Sequence, residues 1–354
     1  MVYTNLIEIK EKIKAKQRLS IDDALSLYHS NDLFLLAELA HGVKQKLHGN
    51  TIYYIINQHI DYTNICNLRC PLCAFSKSEA DTGAFFLSPH ELVAKIDKNV
   101  LEVHIVGGIN KKANLDYFIT IFKSIKKTFP AVAIKALTPV EIDFLATEEQ
   151  LEIQQVLKLL KESGLDAMPG GGAEIFSTSV RNILCPKKIS GARWLQIMAE
   201  AHTRGIPTNA TMLYGHVETL EERIHHLDYL RTLQDKTHGF LAFVPLAFHP
   251  RNTKLYDIKE TTGYDDLKTI AISRLFLDNF YHIKAYWVML SPRLAQVSFF
   301  FGTDDIDGTI KEEHIFHAAG STTRTSLKES EILSLIKNAN LVPVLRDSFY
   351  RKVE

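Results

Sequence analysis

The sequence predicts an α/β protein, because β-rich runs of residues alternate with amphipathic helical segments along most of its length. Each β-rich run is followed by polar or glycine residues and then by a helix long enough to connect two parallel strands. The length of 354 residues lies within the range of one large α/β barrel. These observations favour a complete or nearly complete TIM-like (βα) barrel with an N-terminal helical extension and a C-terminal extension.

The first 48 residues predict the N-terminal helical extension. Leucine, isoleucine and alanine recur at helical spacing from about Leu6 to Lys46, and Ser20 ahead of Asp22 and Asp23 is typical of a helix start. Charged residues interrupt this region every few positions, so it contains no apolar stretch of the length that a signal peptide or a spanning helix needs. We therefore expect a cytoplasmic protein.

Eight segments have the composition of strands, and the eighth is the weakest match. They are residues 52–60, 102–106, 133–137, 166–168, 208–213, 240–245, 283–289 and 296–301. Capping-box pairs predict helix starts at Ser88, Thr147 and Thr219. No Pro/Ser-rich linker, low-complexity tract or short repeat interrupts the chain, so we expect one barrel over residues 49–322 with a helical extension packed on it over residues 323–354.

Composition narrows the classes of function. Lysine plus arginine and aspartate plus glutamate each number 41, so no excess of positive charge is present to bind nucleic acid or an anionic membrane. Only four cysteines occur, and three of them fall within residues 66–73. That distribution suits a metal better than a disulfide framework.

The three clustered cysteines follow directly after the first predicted strand. Cys66, Cys70 and Cys73 form a C-x3-C-x2-C loop at the carboxyl end of that strand, which is the end where barrel enzymes carry their chemistry. Three thiolates can hold three irons of a 4Fe-4S cubane and leave the fourth iron open for another ligand. A zinc site completed by Cys185 or a histidine is the alternative, although structural zinc sites usually pair C-x2-C elements.

The motif resembles the signature of the radical S-adenosylmethionine (SAM) superfamily, in which an aromatic residue such as Phe75 follows the third cysteine. The resemblance implies a 4Fe-4S cluster whose free iron binds SAM, with the segment of Phe75 beside the adenine. It also implies reductive cleavage of SAM to methionine and a 5'-deoxyadenosyl radical, which needs an electron donor such as flavodoxin or ferredoxin. The protein's own tasks in such chemistry are placement and the exclusion of water.

Three further loops resemble SAM-binding segments of that superfamily. Gly107 and Gly108 resemble the motif that holds the SAM amino group, although Ile109 stands where a glutamate is usual; a tight βα turn is the alternative. Glu174, after three successive glycines, is a candidate ligand of the SAM ribose, or a carboxylate at a helix start. Gly215 and Glu218 resemble an adenine-side segment.

Candidate catalytic residues lie on the later loops. We expect Tyr214 and His216 to point toward the cavity, where His216 could donate a proton or bind a carboxylate; a buried, hydrogen-bonded histidine is the alternative. His249 is a similar candidate, and Asn209 or a nearby arginine could also bind a substrate carboxylate. The acid-rich residues 301–309 lack the spacing of a calcium loop and predict a capping loop.

Several segments between residues 50 and 322 resemble the futalosine branch of menaquinone biosynthesis. Residues 210–216, 245–250, 283–290 and 304–309 are more similar to the aminofutalosine synthase family than to the related cyclic dehypoxanthine futalosine synthase family. The resemblance implies that SAM is consumed as a substrate and that its deoxyadenosyl group adds to 3-[(1-carboxyvinyl)oxy]benzoate, a dicarboxylate. The cyclase, a zinc-stabilised binding module and an electron carrier that uses Cys185 as a fourth ligand remain as alternatives.

Overall fold

The computed structural model describes residues 5–354, and the first four residues of the predicted N-terminal extension lie outside the described part. The rest of that extension is helical, as predicted. It comprises α1 (Leu6–Lys14), α2 (Ile21–His29) and α3 (Leu33–His48). Ser20 caps α2 and forms a capping box with Asp23, which satisfies amide groups that a helix start leaves unpaired.

Nine strands follow, and every pairing between them is parallel. They are β1 (Thr51–Ile55), β2 (Asn57–Asp61), β3 (Glu102–Val106), β4 (Ala133–Ala136), β5 (Thr208–Tyr214), β6 (Phe240–Ala247), β7 (His282–Ile283), β8 (Asp305–Gly308) and β9 (Val342–Leu345). The strands form three sheets with the orders β2-β3-β4, β5-β6-β7 and β8-β1-β9.

Single bridges connect these sheets. The predicted strand at residues 166–168 makes only two such bridges, from Ala167 to Lys135 and from Met168 to Thr208, and it lies between β4 and β5. A bridge from Lys284 to Asp305 connects β7 to β8. Since β8 pairs with β1, and β2 follows β1 after one residue, the parallel pairing runs from β2 through all three sheets and back to β1.

Helices alternate with the strands after β2. They are α4 (Pro89–Ala94), α5 (Leu115–Thr128), α6 (Pro139–Glu148), α7 (Ile153–Ser163), α8 (Thr178–Leu184), α9 (Gly191–Thr203), α10 (Leu220–Thr237), α11 (Gly263–Phe276), α12 (Trp287–Leu290), α13 (Pro292–Ser298), α14 (Ile315–Ala318) and α15 (Glu329–Asn338). Of these, α12 and α14 contribute residues to the cavity that the strands surround. The predicted capping boxes at Ser88 and Thr219 are confirmed. The one at Thr147 is wrong, because that residue lies near the end of α6, whose own box is formed by Thr138 and Glu141.

Three strand predictions need correction. Residues 52–60 form two strands, since β1 pairs with β8 and β9 whereas β2 pairs with β3. Residues 283–289 supply only the end of β7 and then enter α12. Residues 296–301 are not a strand: Ser291 caps α13, and Pro292 occupies its first turn, where the missing N–H costs nothing. The strand in that region is β8, inside the predicted capping loop.

The inward and outward faces of the strands differ in polarity. On β5, Asn209, Thr211 and Leu213 line an internal cavity, whereas Met212 and Tyr214 are buried on the other face, toward the helices. Successive side chains of a strand point to opposite sides, so this alternation follows directly from strand geometry. An apolar core therefore lies between strands and helices, whereas the inward faces of the strands line a cavity with both apolar and polar side chains.

Residues 342–348 pack against the amino-terminal ends of several strands. β9 pairs with β1, and the buried Arg346 that follows it donates through Nε to Asp305 Oδ2 at 2.5 Å. Ser348 donates from Oγ to Glu102 Oε2, 2.7 Å away, on the first residue of β3. Residues 323–354 therefore contribute a strand and the segment packed against these ends as well as the helix α15. Between residues 5 and 354 we find no helix that is long and apolar enough to cross a membrane.

Candidate active site

A cavity of about 300 Å³ opens among the carboxyl ends of the strands and extends toward their amino ends. Its upper wall is the cysteine loop between β2 and α4, together with the loops that follow β3, β5 and β6. Residues from α14 and the turn ahead of it, including Glu313 and Phe316, cover one side. Pockets of this size that combine apolar walls with a few convergent polar groups are where small molecules bind.

Neighbouring loops hold the backbone of the cysteine loop in place. Cys66 donates its N–H to the carbonyl of Lys77 at 3.0 Å, and Asn67 donates to the carbonyl of Ile109 at 2.9 Å. Leu72 donates to the carbonyl of Leu184 at 3.3 Å, which attaches the loop to the end of α8. The loop is thus anchored at its start, where Asn67 bonds to the segment after β3, and again at Leu72, beside the third cysteine.

Cys66, Cys70 and Cys73 all line the cavity as free thiols. Burial raises the pKa of Cys70 to about 12 and raises the pKa of Cys73, so a thiolate here needs a bound cation to stabilise it. Three thiols on one loop could hold three irons of a 4Fe-4S cluster and leave the fourth iron open to another ligand, whereas a structural zinc ion would need a fourth protein ligand beside them.

The fourth cysteine lies behind the loop. Cys185 is 1% exposed, follows α8 and is absent from the cavity lining. Burial also raises the pKa of its thiol. Three of the four cysteines therefore line the cavity, whereas Cys185 packs in the core beside them.

Gly107 and Gly108 lie at the end of β3 against the start of the cysteine loop, and both line the cavity. A β-carbon on Gly108 would lie 2.3 Å from the carbonyl oxygen of Ile65 and 2.9 Å from Cβ of Cys66. A β-carbon on Gly107 would lie 2.8 Å from the ring of Tyr62. The close approach of two backbones therefore requires glycine at both positions, whether or not a ligand also binds there.

A buried carboxylate that was missed from the sequence joins this region to the next strand. Glu141, at the start of α6, accepts hydrogen bonds from the Tyr62 hydroxyl at 2.9 Å and from the Gly107 N–H at 3.2 Å. It also accepts from the N–H of Thr138. Its place in the capping box of Thr138 is visible in the sequence, but its long-range partners are not.

Glu174 lines the cavity near the cysteines and is paired with Lys188, whose Nζ lies 2.5 Å from Oε1. The nearby Lys188 ammonium holds the pKa of Glu174 below its usual value despite burial. Buried Arg181 of α8 donates to the carbonyls of Ala173 and Ile175, which fixes the backbone on both sides of Glu174. Lys188 and Arg181 were both missed, because neither belongs to a local motif.

The Gly215–Glu218 turn is held by its own residues. Glu218 accepts hydrogen bonds from the N–H groups of Gly215 at 2.6 Å and His216 at 2.8 Å, and from Arg223 Nε at 2.7 Å. Burial opposes ionisation of Glu218, but the side-chain hydrogen bond with His216, the charge of Arg223 and the N–H of Gly215 lower its pKa to about 2. The Glu218 side chain is fully buried, and neither Gly215 nor Glu218 lines the cavity. Both residues shape the turn after β5.

Tyr214 and His216 do not point into the cavity, which corrects the expectation from the sequence. Tyr214 faces the helices, where its hydroxyl donates to Asp266 at 2.9 Å, because it has the outward parity of β5. His216 has a fully buried side chain, with Nδ1 at 2.6 Å from Glu218 Oε2 and Nε2 at 2.9 Å from the carbonyl oxygen of Leu213. The alternative of a buried, hydrogen-bonded histidine describes His216.

His249, Phe75 and Asn209 do line the cavity. His249 Nε2 lies 3.2 Å from the carbonyl oxygen of Met289, which can only accept, so Nε2 is the donor in this contact and Nδ1 is left for another partner. The buried Oδ1 of Asn209 has no partner within the described residues. Arginine is absent from the cavity lining formed by residues 5–354, so the expected arginine ligand of a carboxylate is not found there.

The lower part of the cavity carries charged residues that were not recognised from the sequence. Lys135 of β4 donates to Glu102 Oε2 at 2.6 Å, and Lys284, just after β7, donates to Asp307 Oδ1 at 3.2 Å. His59 and His104 lie beside them, with His59 Nε2 3.3 Å from His104 Nδ1. Burial lowers the pKa of both histidines. We call Lys135, Lys284, Glu102 and Asp307 the cavity floor.

Within residues 5–354, the side chains of His48, His282 and Asp304 also lie close enough together to bind one metal ion. Asp304 already accepts from Arg274 Nη2 at 2.5 Å and lies 2.6 Å from His282 Nδ1. The Arg274 guanidinium already supplies the positive charge that a metal ion would otherwise bring to Asp304. The group therefore serves as a buried ion-pair network that holds α11 to the start of β8.

Two family models match the chain. The radical SAM superfamily matches residues 60–230, and the CofH/MqnC C-terminal region matches residues 237–354. The aminodeoxyfutalosine synthase of Thermus thermophilus is 46% identical over 98% of this chain and 96% of its own length. The 5-amino-6-(D-ribitylamino)uracil--L-tyrosine 4-hydroxyphenyl transferase 2 of Methanosarcina mazei is 36% identical over 100% of this chain and 94% of its own length.

Solved structures show the same fold at low identity. Methylornithine synthase (PylB) superposes with a TM-score of 0.76 and 15% identity, covering 95% of this chain and 97% of its own. The FeFe-hydrogenase maturase HydG of Carboxydothermus hydrogenoformans gives a TM-score of 0.78 and 17% identity, covering 98% and 80%. The cysteine loop at the mouth of a parallel-stranded cavity, the family models and the full-length relatives agree, and the chain belongs to the radical SAM superfamily, among the proteins that carry the CofH/MqnC C-terminal region.

Proposed function

We propose that this protein is an aminodeoxyfutalosine synthase of menaquinone biosynthesis, a transferase that moves the deoxyadenosyl group of SAM to a small enol ether. The observation that carries this proposal is the 46% identity to the Thermus thermophilus synthase over nearly the full length of both chains. A second synthase, from Streptomyces coelicolor, is 34% identical over 97% of this chain. The cavity and its cysteine loop have the chemistry that such a reaction needs.

Cys66, Cys70 and Cys73 would hold the 4Fe-4S cluster, since all three thiols face the cavity. When bound, the cluster would supply the electron that splits SAM into methionine and a 5'-deoxyadenosyl radical. Phe75, Gly107, Gly108 and Glu174 line the same end of the cavity and are the proposed SAM contacts. Lys188 keeps Glu174 ionised, and an ionised carboxylate can accept hydrogen bonds from ribose hydroxyls.

Gly215 and Glu218 would act through the turn that they form after β5, and not by direct contact. Tyr214 and His216 are likewise proposed to position β5 against α10 and α11, because their polar atoms are already bonded to protein. His249 remains the histidine of the predicted set that faces the cavity. Its Nδ1 would accept a hydrogen bond from the substrate or receive a proton.

The proposed second substrate is 3-[(1-carboxyvinyl)oxy]benzoate. The deoxyadenosyl radical adds to its enol-ether double bond, the adduct radical rearranges, and loss of carbon dioxide, one electron and one proton gives aminodeoxyfutalosine. Radical addition requires the vinyl carbon to be held beside C5' of SAM, so orientation and exclusion of water are the main contributions of the cavity. Its apolar wall, including Leu246 and Phe248, suits both tasks.

The wider architecture is proposed on the same basis. The return of parallel pairing from β8 to β1, with single bridges between the sheets, supports a complete TIM-like barrel over residues 49–322. The helices α1 to α3 and the residues after 322 would be extensions packed on it. We also propose a cytoplasmic enzyme that receives electrons from a flavodoxin or a ferredoxin, as the reductive cleavage of SAM requires.

The experiment is anaerobic reconstitution with iron and sulfide, followed by incubation with SAM, dithionite and the enol-ether benzoate. Mass spectrometry should find aminodeoxyfutalosine, and the Cys70→Ser variant should form none. Parallel reactions with dehypoxanthine futalosine, and with L-tyrosine plus 5-amino-6-(D-ribitylamino)uracil, test the cyclase and the 4-hydroxyphenyl transferase activities. Product in either of those reactions but not with the enol ether would overturn the proposal. Zinc without iron in the purified protein would favour the binding module.

A further inference from the structure

Two lysine side chains, Lys135 and Lys284, line the floor of the cavity and interact electrostatically with each other. The side chains of Lys135 and Lys284 are each only 3% exposed, and both line the cavity. They come from well-separated elements, one on β4 and the other just after β7. Each ammonium disfavours the charge of the other, and burial together with this repulsion lowers the pKa of Lys135. Glu102 and Asp307 each pair with one of these charges, and all four side chains line the cavity.

Their hydrogen bonding is incomplete. A lysine ammonium has three N–H donors. Lys135 uses one of them on Glu102, and Lys284 uses one on Asp307 through a longer bond of 3.2 Å. Within residues 5–354 no other acceptor takes their remaining N–H groups. Lys44, a buried lysine away from the cavity, also has a single hydrogen bond, so one bond is enough for a buried ammonium. What distinguishes Lys135 and Lys284 is that both line the cavity, where a ligand could accept their remaining N–H groups.

The position of the lysines shows which part of a ligand could reach them. Glu102, the partner of Lys135, is the first residue of β3 and is held from below by Ser348. The floor therefore lies toward the amino ends of the strands, whereas Cys66, Cys70 and Cys73 follow the carboxyl end of β2. SAM and the reacting carbon belong at the cysteine end. A group at the floor must belong to the far end of the second substrate.

We infer that Lys135 and Lys284 form a subsite for the aromatic carboxylate of the substrate, the group most distant from the reacting double bond. This inference rests on the proposed function, in which the substrate carries two carboxylates. The enol-ether carboxylate is attached to the reacting carbon and stays near SAM, so only the benzoate carboxylate extends to the floor. Asn209 on β5 adds an amide to the same wall.

The test compares two substrates in matched variants of the reconstituted holoenzyme. 2-Phenoxyacrylate keeps the enol ether and its carboxylate but lacks the carboxylate on the ring. Wild type should prefer the benzoate substrate in kcat/KM by about 10- to 100-fold, the range for a hydrogen bond between charged groups. In Lys284→Met and Lys135→Met that preference should fall to within about threefold. A preference that survives in both variants overturns the inference, and so does its absence in wild type.

Controls separate this result from a loss of structure. Lys44 is a buried lysine with a single hydrogen bond, to the carbonyl of Gly49, and it does not line the cavity, so Lys44→Met should keep the wild-type preference. If Lys284→Met does not fold because Asp307 is left as an unpaired buried charge, the double variant Lys284→Met/Asp307→Asn replaces it. Iron content should match wild type in all of them, and cleavage of SAM without second substrate should match wild type in Lys44→Met.

A binding measurement keeps the inference testable if the proposed reaction is wrong. Holoenzyme with SAM is titrated with 3-methoxybenzoate and with the uncharged 3-methoxybenzamide. Wild type and Lys44→Met should bind the benzoate about tenfold more tightly or better, and the two floor variants should bind both probes alike. Equal binding of both probes by wild type refutes the carboxylate subsite. Preference for the benzoate without turnover of the enol ether refutes only the proposed function.

Discussion

The contact between Gly108 and the cysteine loop leads to a quantitative prediction for Gly108→Ala. The added methyl group would lie 2.3 Å from the Ile65 carbonyl oxygen, whereas ordinary contacts begin at 3.4 Å, so two backbones must separate by about 1 Å. We expect a loss of about 3 kcal/mol, at the upper end of the range for overpacking. With an unfolding entropy of about 2 cal/mol/K per residue, that loss lowers the melting temperature of a chain this long by about 4 °C.

The same displacement moves Cys66, whose Cβ would lie 2.9 Å from the new methyl group. We therefore expect reconstituted Gly108→Ala to bind clearly less iron and sulfide than wild type. The control is Gly42→Ala in α3, where a β-carbon meets nothing within 4 Å, so this variant should keep its iron and melt at the same or a slightly higher temperature. Wild-type iron content and melting temperature in Gly108→Ala would show that the close approach is not required.

Three other predictions concern residues around the site. Cys185→Ala should keep wild-type iron content and the cluster's absorbance, because Cys185 is not part of the cavity wall; loss of the cluster would make it a ligand. Tyr214→Phe should cost about 1–2 kcal/mol in denaturant unfolding by removing the hydrogen bond to Asp266, while kcat/KM changes less than threefold; a larger kinetic effect would place Tyr214 in the site. Burial lowers the pKa of His202 to about 4, so its neutral form stabilises the fold fully above pH 6.5, and this stability is lost as the pH falls toward 4. Unfolding of His202→Gln should therefore depend less on pH in that window than unfolding of wild type, and equal slopes would contradict the assignment.

The sequence predicted the parts of the fold that depend on local pattern. The strands near residues 102–106, 133–137, 208–213 and 240–245 are confirmed, because each is a run of β-favouring residues between clear breakers. β8 was missed because Asp305 and Asp307 are unfavourable in strands. They are tolerated there only because Arg346 and Lys284 neutralise them from distant segments.

The site residues likewise divide into those that local sequence predicts and those that depend on distant segments. The three cysteines are local in sequence, and their spacing alone brought them to one loop that lines the cavity. The inward or outward direction of Tyr214 depends on where β5 begins, and a shift of one residue reverses it. The cavity floor could not be predicted, since Lys135 is 33 residues from Glu102 and Lys284 is 23 residues from Asp307. Such pairs exist only after the strands assemble.

The bond between Ser348 and Glu102 joins residues 246 positions apart, so the lower end of the chamber depends on a segment far along the chain from the cysteine loop. A cut after Leu341 would remove β9, Arg346 and Ser348 together and would admit water to the buried charges above them. Proteolysis between residues 341 and 348 should therefore damage the reaction chamber itself, although it occurs far in sequence from the cysteine loop.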